Sequence, residues 1–317
     1  ESELLDRARE WQDPEGHNPL EPYVPPDENL TGKTLYYAAA EYLKDKGDFL
    51  AVESLQDATL FAYEDGLWSP AGTRTLRQKL EPLLKEDHSK RALGEVEHHL
   101  LSQPALHRDD MGLPPGKVAV ANGALDLESR KVQPLQREDR ALWRLPVEYN
   151  PDADCPEIEA FLEDITPEDD QRQAIWEYVG YALQPRQHFK KAMILFGPTD
   201  AGKSVLLHII HSFFGPENDA QESIQRIANH AWATAELYGK PINTRSDLSA
   251  SVIYNVGLVK ELIAGDPVKG EKKFQDPFRF RPRTKFVFSA NQAPERKTED
   301  DAFWNRWLTI VCPHRIP

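Results

Sequence analysis

Ala192-Met193-Ile194-Leu195-Phe196-Gly197-Pro198-Thr199-Asp200-Ala201-Gly202-Lys203-Ser204 is the run on which the reading of this chain turns. Five apolar residues read as a buried strand, 197–204 fit G-x-x-x-x-G-K-[ST], and Val205 to Phe214 carry helical apolar spacing. In that context the glycines let successive backbone N–H groups turn inward around phosphates, and the helix N-terminus adds the positive end of its dipole. Lys203 would reach the β and γ phosphates and Ser204 would ligate magnesium. The run therefore predicts strand, phosphate loop and helix in that order, with Gly197, Pro198, Thr199, Asp200, Ala201, Gly202, Lys203 and Ser204 binding a nucleoside triphosphate.

Composition bounds the rest. The chain has 317 residues, is 40% hydrophobic and carries a formal net charge of −14. That is enough apolar content for one large or two medium cores and excludes wholesale disorder. Two cysteines, Cys155 and Cys312, are too few for a disulfide framework or a four-cysteine zinc site, which points to a reducing, intracellular setting. The densest apolar run, Val205 to Phe214, is interrupted by His208 and His211, so no membrane span is expected. Glu1 to Glu10 lacks the basic flank and apolar core of a signal peptide, and a first residue other than Met makes the chain the expected piece of something longer. None of the histidines, His98-His99 included, lies with Cys or carboxylates at metal-ligand spacing, and the tryptophans read as core anchors.

Upstream of the loop, residues 1–32 are acidic and proline-rich, a linker pattern. From Lys33 to 150 the texture is mixed α+β. Leu35, Ala38, Ala39, Tyr42 and Leu43 fall at helical spacing, and Thr59–Tyr63 and Leu67-Trp68 flank the turn Glu64-Asp65-Gly66. Two further helices follow around Leu76–Leu84 and Val96–Leu101. A connector of short strands then runs over Lys117–Val120, Ala124–Leu127 and Val132–Leu135, with a turn at Asn122-Gly123. Beyond Pro151 longer helices begin, Glu157–Asp164 and Pro167–Leu183, and residues 151–317 are expected to form the second domain.

Downstream, a carboxylate on a neighbouring strand is needed for the metal, and Asp247 is the candidate; a helix cap before Ser249 is the alternative. Lys285–Ala290 reads as a second apolar strand that delivers Asn291 to its tip. There Asn291 would orient water and sense the γ phosphate, unless it serves only the turn before Gln292-Ala293-Pro294. Arg306 precedes a last strand, Leu308–Val311, and alone would read as a surface arginine.

Taken together, the phosphate loop, the Asp247 segment, Glu261-Leu262-Ile263-Ala264-Gly265-Asp266-Pro267-Val268, the strand ending in Asn291 and Phe303-Trp304-Asn305-Arg306-Trp307 follow one another in a characteristic order. The order resembles that of superfamily 3 helicases of the phage and plasmid primase-helicase type. Asn122–Leu127, Leu145–Pro156 and Phe61–Trp68 resemble the connector and pre-helicase region of those proteins. The resemblance implies an α/β P-loop ATPase domain, AAA+-like, preceded by the smaller α+β domain. It implies ATP and Mg2+ as cofactors, DNA as partner, and a homo-oligomeric ring, usually hexameric. Lys203, Asp247, Asn291 and Arg306 become the catalytic set, with Ser204 and Asp247 on the metal and Arg306 reaching a neighbouring subunit's phosphate. A primase domain elsewhere in the parent protein, and a viral, proviral or plasmid gene expressed in a prokaryotic host, are further implications. One departure is plain: family members often pair acidic residues at the metal strand, whereas Ser246 and Leu248 flank Asp247. The base that activates water is then sought among Glu236, Glu261 and Asp266, and an ATP-gated DNA-binding initiator without unwinding activity is the alternative function.

An acidic chain binds a polyanion only where positive charge concentrates. Lys269, Lys272, Lys273, Arg279, Arg281, Arg283 and Lys285 stand against Glu271 and Asp276, interleaved with Phe274, Phe278 and Phe280. Lys269, Lys272, Lys273, Phe274, Arg279 and Arg281 are the expected DNA contacts, charge on phosphates and rings on bases. A solvated hairpin with inward phenylalanines is the alternative.

Overall fold

The computed structural model describes residues 32–55, 58–246, 255–272, 277–291 and 301–316. They cluster into two compact units, one of 32–52, 59–62 and 69–105 and the other of the remaining described residues.

The first unit is held by three helices, α1 (Gly32–Asp45), α2 (Gly72–Leu84) and α3 (Lys90–Leu101). Each presents one apolar stripe: Leu35, Ala39 and Leu43 from α1, Leu76 and Leu80 from α2, Val96 and Leu100 from α3 are buried together with Leu60. Ser89 caps α3 by accepting the Ala92 N–H at 3.1 Å. The strands β1 (Phe49–Glu53), β2 (Ala58–Glu64) and β3 (Leu67–Ser69) form a sheet in that order. Asp65 and Gly66, both at positive φ, make the two-residue turn between β2 and β3.

The second unit opens with an antiparallel sheet of β4 (Lys117–Val120), β5 (Gly123–Asp126) and β6 (Lys131–Gln133). Gly123 pairs with Val120 and so lies inside the ladder, leaving Ala121 and Asn122 as the turn. Its φ is +141°, and a β-carbon would meet the Gln133 carbonyl, so the position requires glycine. Helices α4 (Pro156–Ile165) and α5 (Asp169–Ala182) precede β7 (Ala192–Phe196) and α6 (Lys203–Phe214). Then come α7 (Ile224–Asn229), α8 (Ala231–Ala235), β8 (Ile242–Arg245), α9 (Val256–Ala264), β9 (Val268–Gly270), β10 (Phe278–Phe280), β11 (Lys285–Ala290), α10 (Asp301–Trp304) and β12 (Trp307–Val311).

Four of these strands build a parallel sheet in the order β12-β7-β11-β8. A parallel sheet is covered on both faces, and the side-chain period of two divides each strand between the coverings. Met193 and Leu195 join Leu162, Ile175, Leu206 and Phe214 in one core. Ala192 and Ile194 join Leu262, Phe286, Phe288 and Phe303 in the other. Each fully buried Leu, Ile or Phe contributes roughly 1.5–3 kcal/mol.

The outer edge of β8 is closed by the loop 218–222. Asp219 bridges Ile242, Ala220 N–H donates to Ile242 O at 3.1 Å, and Asp219 Oδ1 accepts the Thr244 N–H at 2.8 Å. Asn243 completes the seam with its side chain, accepting the Glu222 N–H at 2.8 Å and donating to the Glu222 carbonyl at 3.0 Å.

Candidate nucleotide site

The phosphate loop leaves β7 at Phe196 and enters α6 at Lys203. Asp200 and Gly202 take left-handed backbone angles, φ +62° and +76°. A non-glycine residue there is strained by about 1–3 kcal/mol, a cost that persists only where its surroundings impose the conformation. The first helical bond of α6 runs from Leu206 N–H to Gly202 O at 3.0 Å, so the N–H groups of 203–205 have no acceptor within the helix. Ile316 N–H donates to Asp200 O at 2.7 Å, tying the segment after β12 to the loop.

Lys203 is buried, and its ammonium donates to Gly197 O at 2.9 Å and to Pro198 O at 2.5 Å. Burial pushes the Cys312 thiol up to about 11 and the Lys203 charge works against that rise, so the lysine's field reaches the neighbouring segment. Ser204 is exposed at the helix start. Unpaired helix N–H groups, a left-handed loop and one ammonium converging on the same turn fit a chain of phosphate oxygens.

Gly197 N–H donates to Ala290 O at 3.3 Å, which sets Asn291, exposed, beside the first residue of the loop. Asn291 thus reaches the same sheet end as the loop, carried by the register that pairs Ala290 with Phe196. Arg306 stands at the opposite end. Trp307 pairs with Ala192, and Arg306 O accepts the Ala192 N–H at 2.8 Å. Five residue steps separate Ala192 from Gly197, about 17 Å at 3.3 Å each. Within one chain Arg306 therefore does not join Lys203. Its Nη1 donates to Ala302 O at 2.6 Å, and its Nε is buried without an acceptor among the described residues. Asp247 lies outside the described residues, two positions beyond the end of β8. Glu236, Glu261 and Asp266 are all exposed.

The basic interval is sorted by the fold. β9 and β10 pair antiparallel, with Phe278 opposite Gly270, Arg279 opposite Lys269 and Phe280 opposite Val268. Val268, Phe278 and Phe280 turn into the core, while Lys269 and Arg279 are exposed side by side. Rings offered to bases are thus not what Phe278 and Phe280 provide; the period of two sends them inward. Lys285 is fully buried, donating to Gln184 O and Arg283 O, because every residue of β11 is covered by the two faces of the sheet. Arg283 is bound to the carbonyls of Met111 and Asp109. Arg281 is exposed and faces Asp109 at 3.4 Å, and Lys272 is half-buried. Lys273 and Phe274 lie outside the described residues. Two tryptophans expected in the core, Trp176 and Trp232, are 43% and 46% exposed. Trp232 lies stacked on His230 and under the Arg226 guanidinium at 4.7 Å.

Asp219 belongs to the site's surroundings without any motif in the sequence to mark it. It is buried and accepts from Thr244 N–H, Thr244 Oγ1, Gln221 N–H and His211 Nδ1. A lone Asp in a polar loop carries no local sign of this, since its main partner lies on β8.

Two family models match separate stretches of the chain. A family described as "D5 N terminal like" matches residues 30–167. A family of unknown function (DUF5906) matches residues 195–306, the interval holding the phosphate loop, Asn291 and Arg306. A curated protein of Acanthamoeba polyphaga mimivirus, "Putative helicase L207/L206", is 25% identical over 162 residues, covering 48% of this chain and 17% of its own length. Among solved structures, the A form apo structure of the NrS-1 C terminal region aligns over 87% of this chain and 61% of that one, with a TM-score of 0.56 and 14% identity. An apo structure of the same region aligns with a TM-score of 0.51 and 13% identity, covering 89% of this chain and 62% of that one. At such identities the likeness is one of fold, and the chain spans less than two thirds of each of these proteins. Among the described residues no helix is long and apolar enough to cross a membrane.

Proposed function

We propose that the chain is the motor part of an ATP-dependent DNA helicase, a superfamily 3-like P-loop ATPase that assembles as a ring. The observation that carries the reading is the division of the candidate set between the two ends of one parallel sheet. The loop and Asn291 share one end, and Arg306 stands at the other. A catalytic arginine that cannot reach its own subunit's phosphates is useful only to a neighbour's, and a closed ring supplies every subunit with one. In this reading the N–H groups of 202–205 and Lys203 hold the ATP phosphates, and Ser204 and Asp247 hold Mg2+. When bound, the metal neutralises charge developing on the transferred phosphate. Asn291 orients the attacking water. Lys269 and Arg279 track the DNA backbone. Likeness to the mimivirus protein and to the D5 N-terminal family supports the helicase class and a gene of viral or related mobile origin.

ATP hydrolysis measured with and without single-stranded DNA at two salt concentrations tests this. DNA is expected to stimulate turnover, less at high salt. Lys203→Ala should abolish ATP binding and turnover, and Arg306→Ala turnover alone. A second reading, an ATP-gated initiator that binds DNA without unwinding it, is favoured by Ser246 and Leu248 flanking Asp247 where a second acid would stand. ATP binding with no DNA-stimulated turnover in a chain that sizes as a ring would support it.

A further inference from the structure

A concavity elsewhere in the second unit carries a charge out of keeping with a chain of net −14. Arg108, Lys117, Lys240, Arg281 and Arg283 line it against one carboxylate, Asp109, and no residue of the phosphate loop takes part.

Its cations are built in. Arg108 is 5% exposed, with its guanidinium 4.4 Å from the Phe278 ring centre and 4.9 Å from that of Tyr238. Arg283 Nη1 donates to Met111 O at 2.5 Å, and Nη2 donates to Asp109 O. Gly112, at φ +94°, makes room for it, since a β-carbon there would stand 2.7 Å from Arg283 Nη1. Lys240 donates to Glu217 O. Arg281 and Lys117 face Asp109 at 3.4 Å and Asp139 at 3.8 Å. Arg283 and Lys240, by contrast, have no carboxylate within ion-pair distance among the described residues.

Carbonyl bonds position a cation but leave its charge unbalanced. Burial lowers the pKa of Arg108, Arg283 and Lys240 alike, so each is held charged against the cost of its surroundings. One neutral donor completes the set: Gln184 also lines the concavity, and its Nε2 is buried without an acceptor among the described residues. Staples for neighbouring carbonyls have no need to converge on an enclosed space. An anion shared between forked guanidinium groups and an ammonium does.

Size narrows the anion. The cavity volume is about 40 Å³. At roughly 10–15 Å³ for each water, that is room for about three waters, the span of a tetrahedral oxyanion and too little for a base or sugar. We propose that this cavity is a second phosphate site, distinct from the phosphate loop, in which Arg283, Lys240 and Arg108 hold a phosphoryl oxyanion with Lys117 and Arg281 around it. The group comes either from free inorganic phosphate or from the backbone of a bound nucleic acid.

The test uses the intact chain carrying Lys203→Ala, which removes the lysine of the other phosphate site. Inorganic phosphate is titrated at constant ionic strength while thermal unfolding and the phosphorus resonance linewidth are followed. Phosphate is expected to raise the unfolding temperature and broaden the resonance. Adding Lys240→Gln should weaken the apparent affinity at least tenfold, and adding Lys117→Gln instead, a more exposed change that serves should Lys240→Gln fail to fold, severalfold. Displacement of phosphate by oligothymidylate, itself weakened by the same substitutions, would identify the backbone as the source; phosphate binding indifferent to the oligonucleotide would identify free phosphate. Loss of all phosphate binding with Lys203→Ala alone, or binding unchanged by the Lys240 and Lys117 substitutions, overturns the proposal.

Discussion

A β-carbon built on Gly197 would stand 2.0 Å from the carbonyl oxygen of Cys312. The strand bond from Cys312 N–H to Phe196 O, 2.8 Å, holds the two segments at that distance, so the first residue of the phosphate loop is pinned by the segment leaving β12. No side chain larger than hydrogen fits without parting them. Gly197→Ala is expected to cost at least about 2 kcal/mol of stability and to abolish nucleotide binding. A urea midpoint equal to that of the unsubstituted chain would show that the two segments separate freely.

Lys285 carries a pH dependence of definite sign. Burial lowers its pKa from 10.5 to about 7. Between those values the unfolded chain holds a proton that the folded chain has released, so stability rises with pH across that window, and the gain is lost progressively as pH falls from about 10.5 and is gone below about 7. Its full magnitude is on the order of 5 kcal/mol. Tyr181 and Tyr238, each pushed up to about 12 by burial, oppose the trend once pH passes the ordinary tyrosine value of 10. Lys285→Met should flatten the unfolding free energy between pH 7 and 10. A slope unchanged by the substitution would assign the dependence to other groups.

Lys269 and Arg279 are direct cross-strand partners, and like charges so placed cost a few tenths of a kcal/mol to about 1 kcal/mol. Glu271 offsets part of this, lying 2.5 Å from the Lys269 ammonium. Neutralising both cations, Lys269→Gln with Arg279→Gln, is expected to leave stability level or slightly higher. If both contact phosphates, the slope of log affinity for single-stranded DNA against log salt should shrink by about 1.4. An unchanged slope would remove this hairpin from the DNA path.

Asp219 serves four donors at once, and Asp219→Ala leaves buried N–H and O–H groups without acceptors. The expected loss is about 3 kcal/mol. Chemical denaturation measures it directly, and a loss under 1 kcal/mol would mean that water replaces the carboxylate.

What the sequence disclosed depended on how local its cause was. The loop, β7 and β11 were legible because glycine spacing and unbroken apolar runs are local facts. The alternation Phe278, Arg279, Phe280 also announced a half-buried strand, but the count of basic residues drew the rings toward nucleic acid instead. Lys285 could not be placed that way, since its burial comes from helices packed on both sides of the sheet. Asp219 and Thr244 lie 25 residues apart, and Arg108 meets Phe278 only through the tertiary fold. Pairings at such separations leave no trace in spacing.

The seam along β8 bears on how copies of this chain could associate. With Ile242 O and the Thr244 N–H already engaged by the loop 218–222, a neighbour that adds a strand there would have to displace the loop. Whatever meets that side with the loop in place must do so through side chains. Such contacts slide and re-form at far less cost than a backbone ladder, and the ring proposed above, if its subunits change their mutual angle, would need that freedom.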